Sequence, residues 1–267
     1  MIRNFELQAD GHRLEARWLG PGPADAPTLV FLHEGLGCLA LWKDFPQRMV
    51  EATGCGALVY SRAGYGRSDA VTLPRPLTYM HHEAQAVLPA VLDAAGVQQA
   101  ILVGHSDGGS IALINAGSVP DPRVQALILM APHVFNEPIC VAAIEQARAA
   151  YLEGGLRDGL ARHHHNNVDN AFWGWNDAWL DPGFLDWNLE VFLPGVAIPT
   201  LLLQGGQDAY GTAAQIEAIE AQVAGPVESV WPDPCGHAAY RDQPETVIAA
   251  SCGFLRRHGL LAVEADS

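Results

Sequence analysis

Lysine is almost missing from this chain: Lys43 is the only one among 15 basic residues, which face 30 acidic ones. The net charge of -15 at pH 7 repels phosphate backbones and anionic headgroups, so nucleic acid and membrane surfaces are excluded as expected partners. Long apolar runs are missing too. No stretch of the 267 residues is long enough to span a bilayer. The opening MIRNFELQADGHRLEARW alternates polar and apolar residues and does not read as a signal peptide. Cysteines at metal or redox spacing are also lacking. Cys38, Cys55, Cys140, Cys235 and Cys252 are odd in number, scattered, and form no CxxC pair. That argues against a disulfide framework or a zinc knuckle and fits reduced thiols in a cytoplasm. No internal repeat or low-complexity tract is present.

What is present is ordinary globular material, 49% hydrophobic and 17% charged, enough for one large α/β domain with an insertion. FELQAD and HRLEARWL flank the turn signal Asp10-Gly11 and read as a hairpin. TLVFLH, GALVYS, AILVGH, ALILMA and TLLLQG are continuously apolar, as strands buried on both faces of a parallel sheet are, and VESVWP reads as a last strand. Helical stretches lie between them at 41–53, 79–95, 110–118, 213–224 and 244–258. This alternation predicts a mostly parallel eight-stranded sheet flanked by helices. Between the strands ending near Ala131 and starting near Pro199 there is too much chain for one crossover. PICVAAIEQARAAYLEGG and LRDGLARHHHNN read as helices there. Residues 135–195 are therefore expected to form a helical cap inserted into a core of 1–134 and 196–267. The tail VEADS is expected to fray.

Gly104-His105-Ser106-Asp107-Gly108 is a G-x-S-x-G pattern placed after a strand and opening a helix. Side chains at 104 and 108 would collide across so tight a turn. The turn lifts the serine Oγ to the helix N-terminus, where backbone N–H groups favour developing negative charge. A phosphate loop or a plain glycine turn is the alternative. A serine nucleophile needs a base, and the base needs an orienting acid. Asp208 follows the TLLLQG strand and His237 follows the last strand, both at carboxyl ends of parallel strands, where α/β sheets place ligands. Asp233 and Glu137 are rival acids, the first too near His237 in sequence to orient it easily.

FLHEGLG, YSRAGYGRSD, GHSDGG, QGGQD and CGHAAYRDQPE, in this order across residues 28–258, resemble the motifs of the α/β-hydrolase family. The resemblance implies Ser106 as nucleophile, His237 as general base and acid, Asp208 as its orienting partner, and no cofactor. It implies backbone oxyanion donors at Gly35 and Asp107, and a structural Arg62. A serine at the elbow sets the chain apart from the dehalogenase and epoxide-hydrolase branches, which carry an aspartate there.

LHEGLG departs from the family's His-Gly pattern by placing Glu34 where glycine is usual. An ionised carboxylate about 4 Å from a forming oxyanion opposes it by about 4 kcal/mol at an effective dielectric of 20. The side chains of Glu34 and Asp107 are therefore expected to turn away. Asp107 is expected to turn to the N–H groups of its helix, and Glu34 to a cation such as Arg62 or Arg67. A sharper alternative is that one of these acids binds a polar or cationic substrate group. Glu34, His105, Phe135, Trp173, Trp175 and Trp179 are the candidate pocket residues, with most other cap aromatics in the core. His163-His164-His165 and His81-His82 lack flanking acids at ligand spacing, so no metal site is expected.

These features lead to an ester or lactone hydrolase acting on a small to medium, partly apolar molecule, as a monomer or homodimer. Hydrolysis of a carbon–carbon bond in a ring-cleavage product is the runner-up. A thioesterase is disfavoured for want of a basic patch. A non-catalytic ligand receptor of the same fold is the alternative of another class.

Overall fold

The computed structural model describes residues 2–119 and 121–261; the VEADS tail lies outside them. Eight strands form one sheet in the order β1-β2-β4-β3-β5-β6-β7-β8. They are β1 (Ile2–Ala9), β2 (His12–Leu19), β3 (Thr28–Leu32), β4 (Gly56–Tyr60), β5 (Ala100–His105), β6 (Val124–Met130), β7 (Thr200–Leu203) and β8 (Val227–Val230). β2 is antiparallel to both of its neighbours, and every pairing from β4 to β8 is parallel. The β1–β2 hairpin closes through Asp10 and Gly11, both at positive φ, the backbone that a tight two-residue turn demands.

The apolar runs are continuous because both faces of the sheet are covered. Val30, Leu32 and Leu102 enter one core while Leu29, Phe31, Ile101 and Val103 enter the other, the two-residue alternation of a strand. Two expected helices begin differently. The 41–53 stretch divides into a short turn at Leu39–Trp42 and a helix at Phe45–Thr53, because Lys43 sits at φ 53 between them. The 79–95 helix widens at Glu83–Val87, directly before Pro89, whose ring lacks an N–H and cannot fit a regular turn.

Between β6 and β7 the chain forms helices Pro138–Glu153, Leu156–His164 and Val168–Trp179, followed by short turns at Pro182–Phe184 and Glu190–Gly195. His164 stitches this segment to the core. Its Nδ1 accepts from the Gly66 N–H at 3.1 Å, and its Nε2 donates to the Leu36 carbonyl at 3.0 Å. No helix among the described residues is long and apolar enough to cross a membrane.

Candidate active site

β5 delivers Ser106 at φ 52, ψ −119, the first step of the helix Asp107–Ser118. That is a strained backbone for a residue with a Cβ. It is held because the Ser106 N–H donates to the Met130 carbonyl at 2.9 Å, while the Ser106 carbonyl accepts from Gly109 and Ser110. A Cβ at Gly104 would lie 2.6 Å from the Gly108 carbonyl oxygen, and one at Gly108 would lie 2.0 Å from the Leu32 carbonyl oxygen. Both neighbours are backbone and cannot yield, so the motif's glycines are steric necessities. The helix begins at Asp107, three residues earlier than its apolar pattern suggests, because the glycines carry its first turn.

His237 Nδ1 lies 2.9 and 2.8 Å from the two oxygens of Asp208. The Asp208 side chain is 1% exposed. It also accepts from Gln204 Nε2 at 2.9 Å and the Tyr210 N–H at 2.8 Å. Burial alone would push this carboxyl up; the His237 bond and charge and the two further donors hold it below the usual aspartate value. Ionised, it accepts the Nδ1 proton of His237, which leaves Nε2 unprotonated in the neutral ring. The rival acids are engaged elsewhere or exposed: Glu137 accepts from Thr212 and Gln215, and Asp233 is on the surface.

Asp107 is fully buried, and its carboxylate accepts from the Tyr79 hydroxyl at 2.6 Å with Arg62 at 3.8 Å. The expected partner, the N-terminus of its own helix, is not the one it uses. Burial, and then the Asp107 charge, raise the Tyr79 hydroxyl well above the ordinary tyrosine value, so it stays a donor. Trp179 Nε1 donates to the same hydroxyl at 3.1 Å.

Glu34 also departs from expectation. Arg62 bonds the Glu34 carbonyl at 3.1 Å, not its carboxylate. The side-chain partner is His105, whose Nδ1 lies 3.3 Å from Glu34 Oε2 and whose Nε2 lies 2.9 Å from the His237 carbonyl. Both ring nitrogens of His105 face acceptors. Burial would raise the Glu34 carboxyl, but the His105 bond and charge, the His33 charge and a backbone N–H hold it down to about 2. Gly37 makes room for this carboxylate: a Cβ there would lie 2.5 Å from Glu34 Oε2.

A cavity of about 230 Å³ opens over Ser106 and His237. Glu34, Gly35, His105, Asp107, Trp175 and Trp179 line it, as do Leu36, His133, Cys140, Ile144, Tyr210, Ala238 and Arg241. Two expected pocket residues lie elsewhere. The Phe135 backbone is clamped by Gln215 and bridges to Asn188 while its ring packs on the core. Trp173 packs against Tyr151, Phe172 and the Arg148 guanidinium. Its helix gives the reason: Phe172, Trp175 and Trp179 share the i, i+3, i+7 stripe, and Trp173 lies about 100° away. That spacing was legible in the sequence, as was the i, i+4 pair Cys140 and Ile144 once a helix is drawn there. His133, Tyr210 and Arg241 carry no comparable sequence signal.

Two further groups that line the cavity are uncharged. Burial, followed by the His237 charge, lowers the His133 ring to about 3, so it is neutral. Burial keeps the Cys140 thiol protonated. The Gly35 N–H and the Asp107 N–H, the latter on the first residue of its helix, donate to no group among the described residues. Away from the cavity, His82 meets Asp10 and His81 packs on Phe192.

Residues 29–250 match the model of the alpha/beta hydrolase family. The chain belongs to that family. Epoxide hydrolase 2 of Siraitia grosvenorii is 28% identical over 177 residues, 64% of this chain and 53% of that protein. The putative carbamate hydrolase RutD of Azorhizobium caulinodans is 36% identical over 106 residues, 39% of this chain and 37% of its own. The chain thus spans about half, or less, of the length of these curated relatives. The enol-lactonase of Burkholderia xenovorans superposes with a TM-score of 0.74 at 19% identity, over 94% of this chain and 100% of that one. This last likeness is one of fold.

Proposed function

We propose that this protein is a serine hydrolase of carboxylic esters or lactones, acting through Ser106, His237 and Asp208. The observation that carries the proposal is the Asp208–His237 pair, bonded at 2.8 and 2.9 Å in the cavity that holds the strained, 7% exposed Ser106. His237 Nε2 takes the Ser106 proton as Oγ attacks the carbonyl carbon, and Asp208 stabilises the imidazolium. The oxyanion sits on the Gly35 and Asp107 N–H groups, each donor accounting for about 2.7–4 kcal/mol of barrier lowering. His237 then protonates the leaving alkoxide, and a water activated by the same nitrogen releases the acid. Trp175, Trp179, Ile144 and Leu36 give the acyl or alcohol portion an apolar wall, and the helices between β6 and β7 act as a cap over the cavity.

A panel of p-nitrophenyl esters and lactones, with Ser106→Ala as control, tests this. Turnover by the native protein that Ser106→Ala abolishes supports the reading. Absence of turnover on every ester and lactone, or undiminished turnover by Ser106→Ala, refutes it.

A further inference from the structure

Glu34 has two carboxylate oxygens, and only Oε2 has a side-chain partner. Oε2 meets His105 Nδ1, and the opposite nitrogen of that ring holds the His237 carbonyl. This chain of contacts locks Glu34 in place. Oε1 has no side-chain partner among the described residues, in a side chain 20% exposed that lines the cavity. A clamp on His105 requires one oxygen. The second is an acceptor one residue from the Gly35 N–H, at the reacting end of an otherwise largely apolar cavity. Arg241 also lines the cavity, from an exposed position, and makes no hydrogen bond to Glu34 among the described residues.

We propose that Glu34 is a specificity-determining residue whose free oxygen accepts a hydrogen bond from a hydroxyl on the substrate's acyl portion, close to the reacting carbonyl. The substrate class is then a hydroxyacyl ester or lactone. A hydroxyl suits the site better than a full cation, because the Arg241 guanidinium already lines the same cavity. A hydroxyl bonded to an ionised carboxylate gains more than a neutral pair does. A methyl group of the same size in that place leaves a charged acceptor desolvated and unpartnered. This inference rests on the hydrolase reading above.

Two isosteric pairs of p-nitrophenyl esters test it: lactate against isobutyrate, and β-hydroxybutyrate against isovalerate. The native protein is expected to favour the hydroxyl member of at least one pair by about tenfold or more in kcat/KM, the least expected of a hydrogen bond to a charged group. In Glu34→Gln the ratio within that pair falls several-fold, whatever happens to either ester alone. His105→Gln, which loosens the clamp, lowers both members together. Equal rates within both pairs, or a preference that survives Glu34→Gln, overturns the proposal, as does a stronger preference for a hemimalonate ester, which would point to Arg241. Binding separates this from the hydrolase reading. In Ser106→Ala, quenching of Trp175 and Trp179 fluorescence by methyl β-hydroxybutyrate and methyl isovalerate reports the same preference without turnover. A preference there with no turnover by the native protein sinks only the hydrolase reading; turnover without preference sinks only this one.

Discussion

The Tyr79 hydroxyl donates to Asp107 Oδ2 at 2.6 Å and so turns the acid beside Ser106 toward Tyr79. If Ser106 is the nucleophile proposed above, this bond answers the electrostatic difficulty of a carboxylate beside it, because the Asp107 charge is retired toward Tyr79 and Arg62. Removing the donor leaves a buried carboxylate short of a partner. Tyr79→Phe is expected to lower stability by about 1–3 kcal/mol and to lower kcat more than it raises KM. Urea unfolding and steady-state kinetics on one ester check both; an unchanged midpoint and kcat would show that Arg62 alone suffices.

Asp208 fixes the proton on His237 Nδ1. Asp208→Asn keeps the shape but supplies an amide that favours the wrong tautomer, and kcat is expected to fall by about ten-thousandfold. Because the three groups act as one unit, adding Asp208→Asn to Ser106→Ala costs little further activity. Single and double variants assayed on the same ester test this, and additive losses would contradict it.

The backbone of the elbow admits no methyl group. Gly108→Ala drives a Cβ to within 2.0 Å of the Leu32 carbonyl, a clash of backbone with backbone. The expected loss exceeds about 4 kcal/mol, seen as insoluble protein or a collapsed urea midpoint. Normal stability in this variant would mean that the elbow has a different geometry.

Trp175 and Trp173 are two residues apart but only the first lines the cavity. Trp175→Ala is expected to raise KM for bulky acyl esters by about tenfold or more, since it removes apolar contact shared by ground and transition states. Trp173→Ala should leave KM unchanged and cost only stability. Equal effects on KM would misplace the wall of the cavity.

Stability should fall with acid, and His133 and Glu34 contribute to that fall in different parts of the range. His133 is held neutral down to about 3 in the fold and gains its proton near 6.5 when unfolded, so the unfolded state binds more protons as pH drops below 6.5. Glu34, held to about 2 against an unfolded value near 4.5, contributes stability that is full above 4.5 and is lost as pH falls toward 2. Both slopes have the same sign. His133→Asn flattens the upper part of the curve and Glu34→Gln the lower part, in urea midpoints measured from pH 7 to 3. Curves parallel to that of the native protein would exclude these two groups as the cause.

Most of the sheet was legible because strands buried on both faces carry unbroken apolar runs, as TLVFLH and AILVGH do. The elbow was legible for a different reason: its steric demands are local, so glycine must stand where a Cβ has no room. Partners that meet through the fold were not. Tyr79 and Asp107 are 28 residues apart, and Glu34 and His105 are 71 apart. Nothing in either segment specifies the other, so electrostatics said only that both acids must turn away, not toward what. Trp173 failed as a pocket residue because aromatic content was read without its helical phase, which at 172, 175 and 179 was available, and Phe135 because its partners Asn188 and Gln215 lie far along the chain.

His164 gives the segment between β6 and β7 a condition of exchange. Its ring closes two backbone groups of the core, the Gly66 N–H and the Leu36 carbonyl, so the segment and the loops beneath it form one transplantable unit. A chimera that grafts a foreign segment here without an imidazole at this position leaves two backbone groups unpaired, at about 1–3 kcal/mol each. One that keeps His164 retains that seam while the cavity wall above it is rewritten.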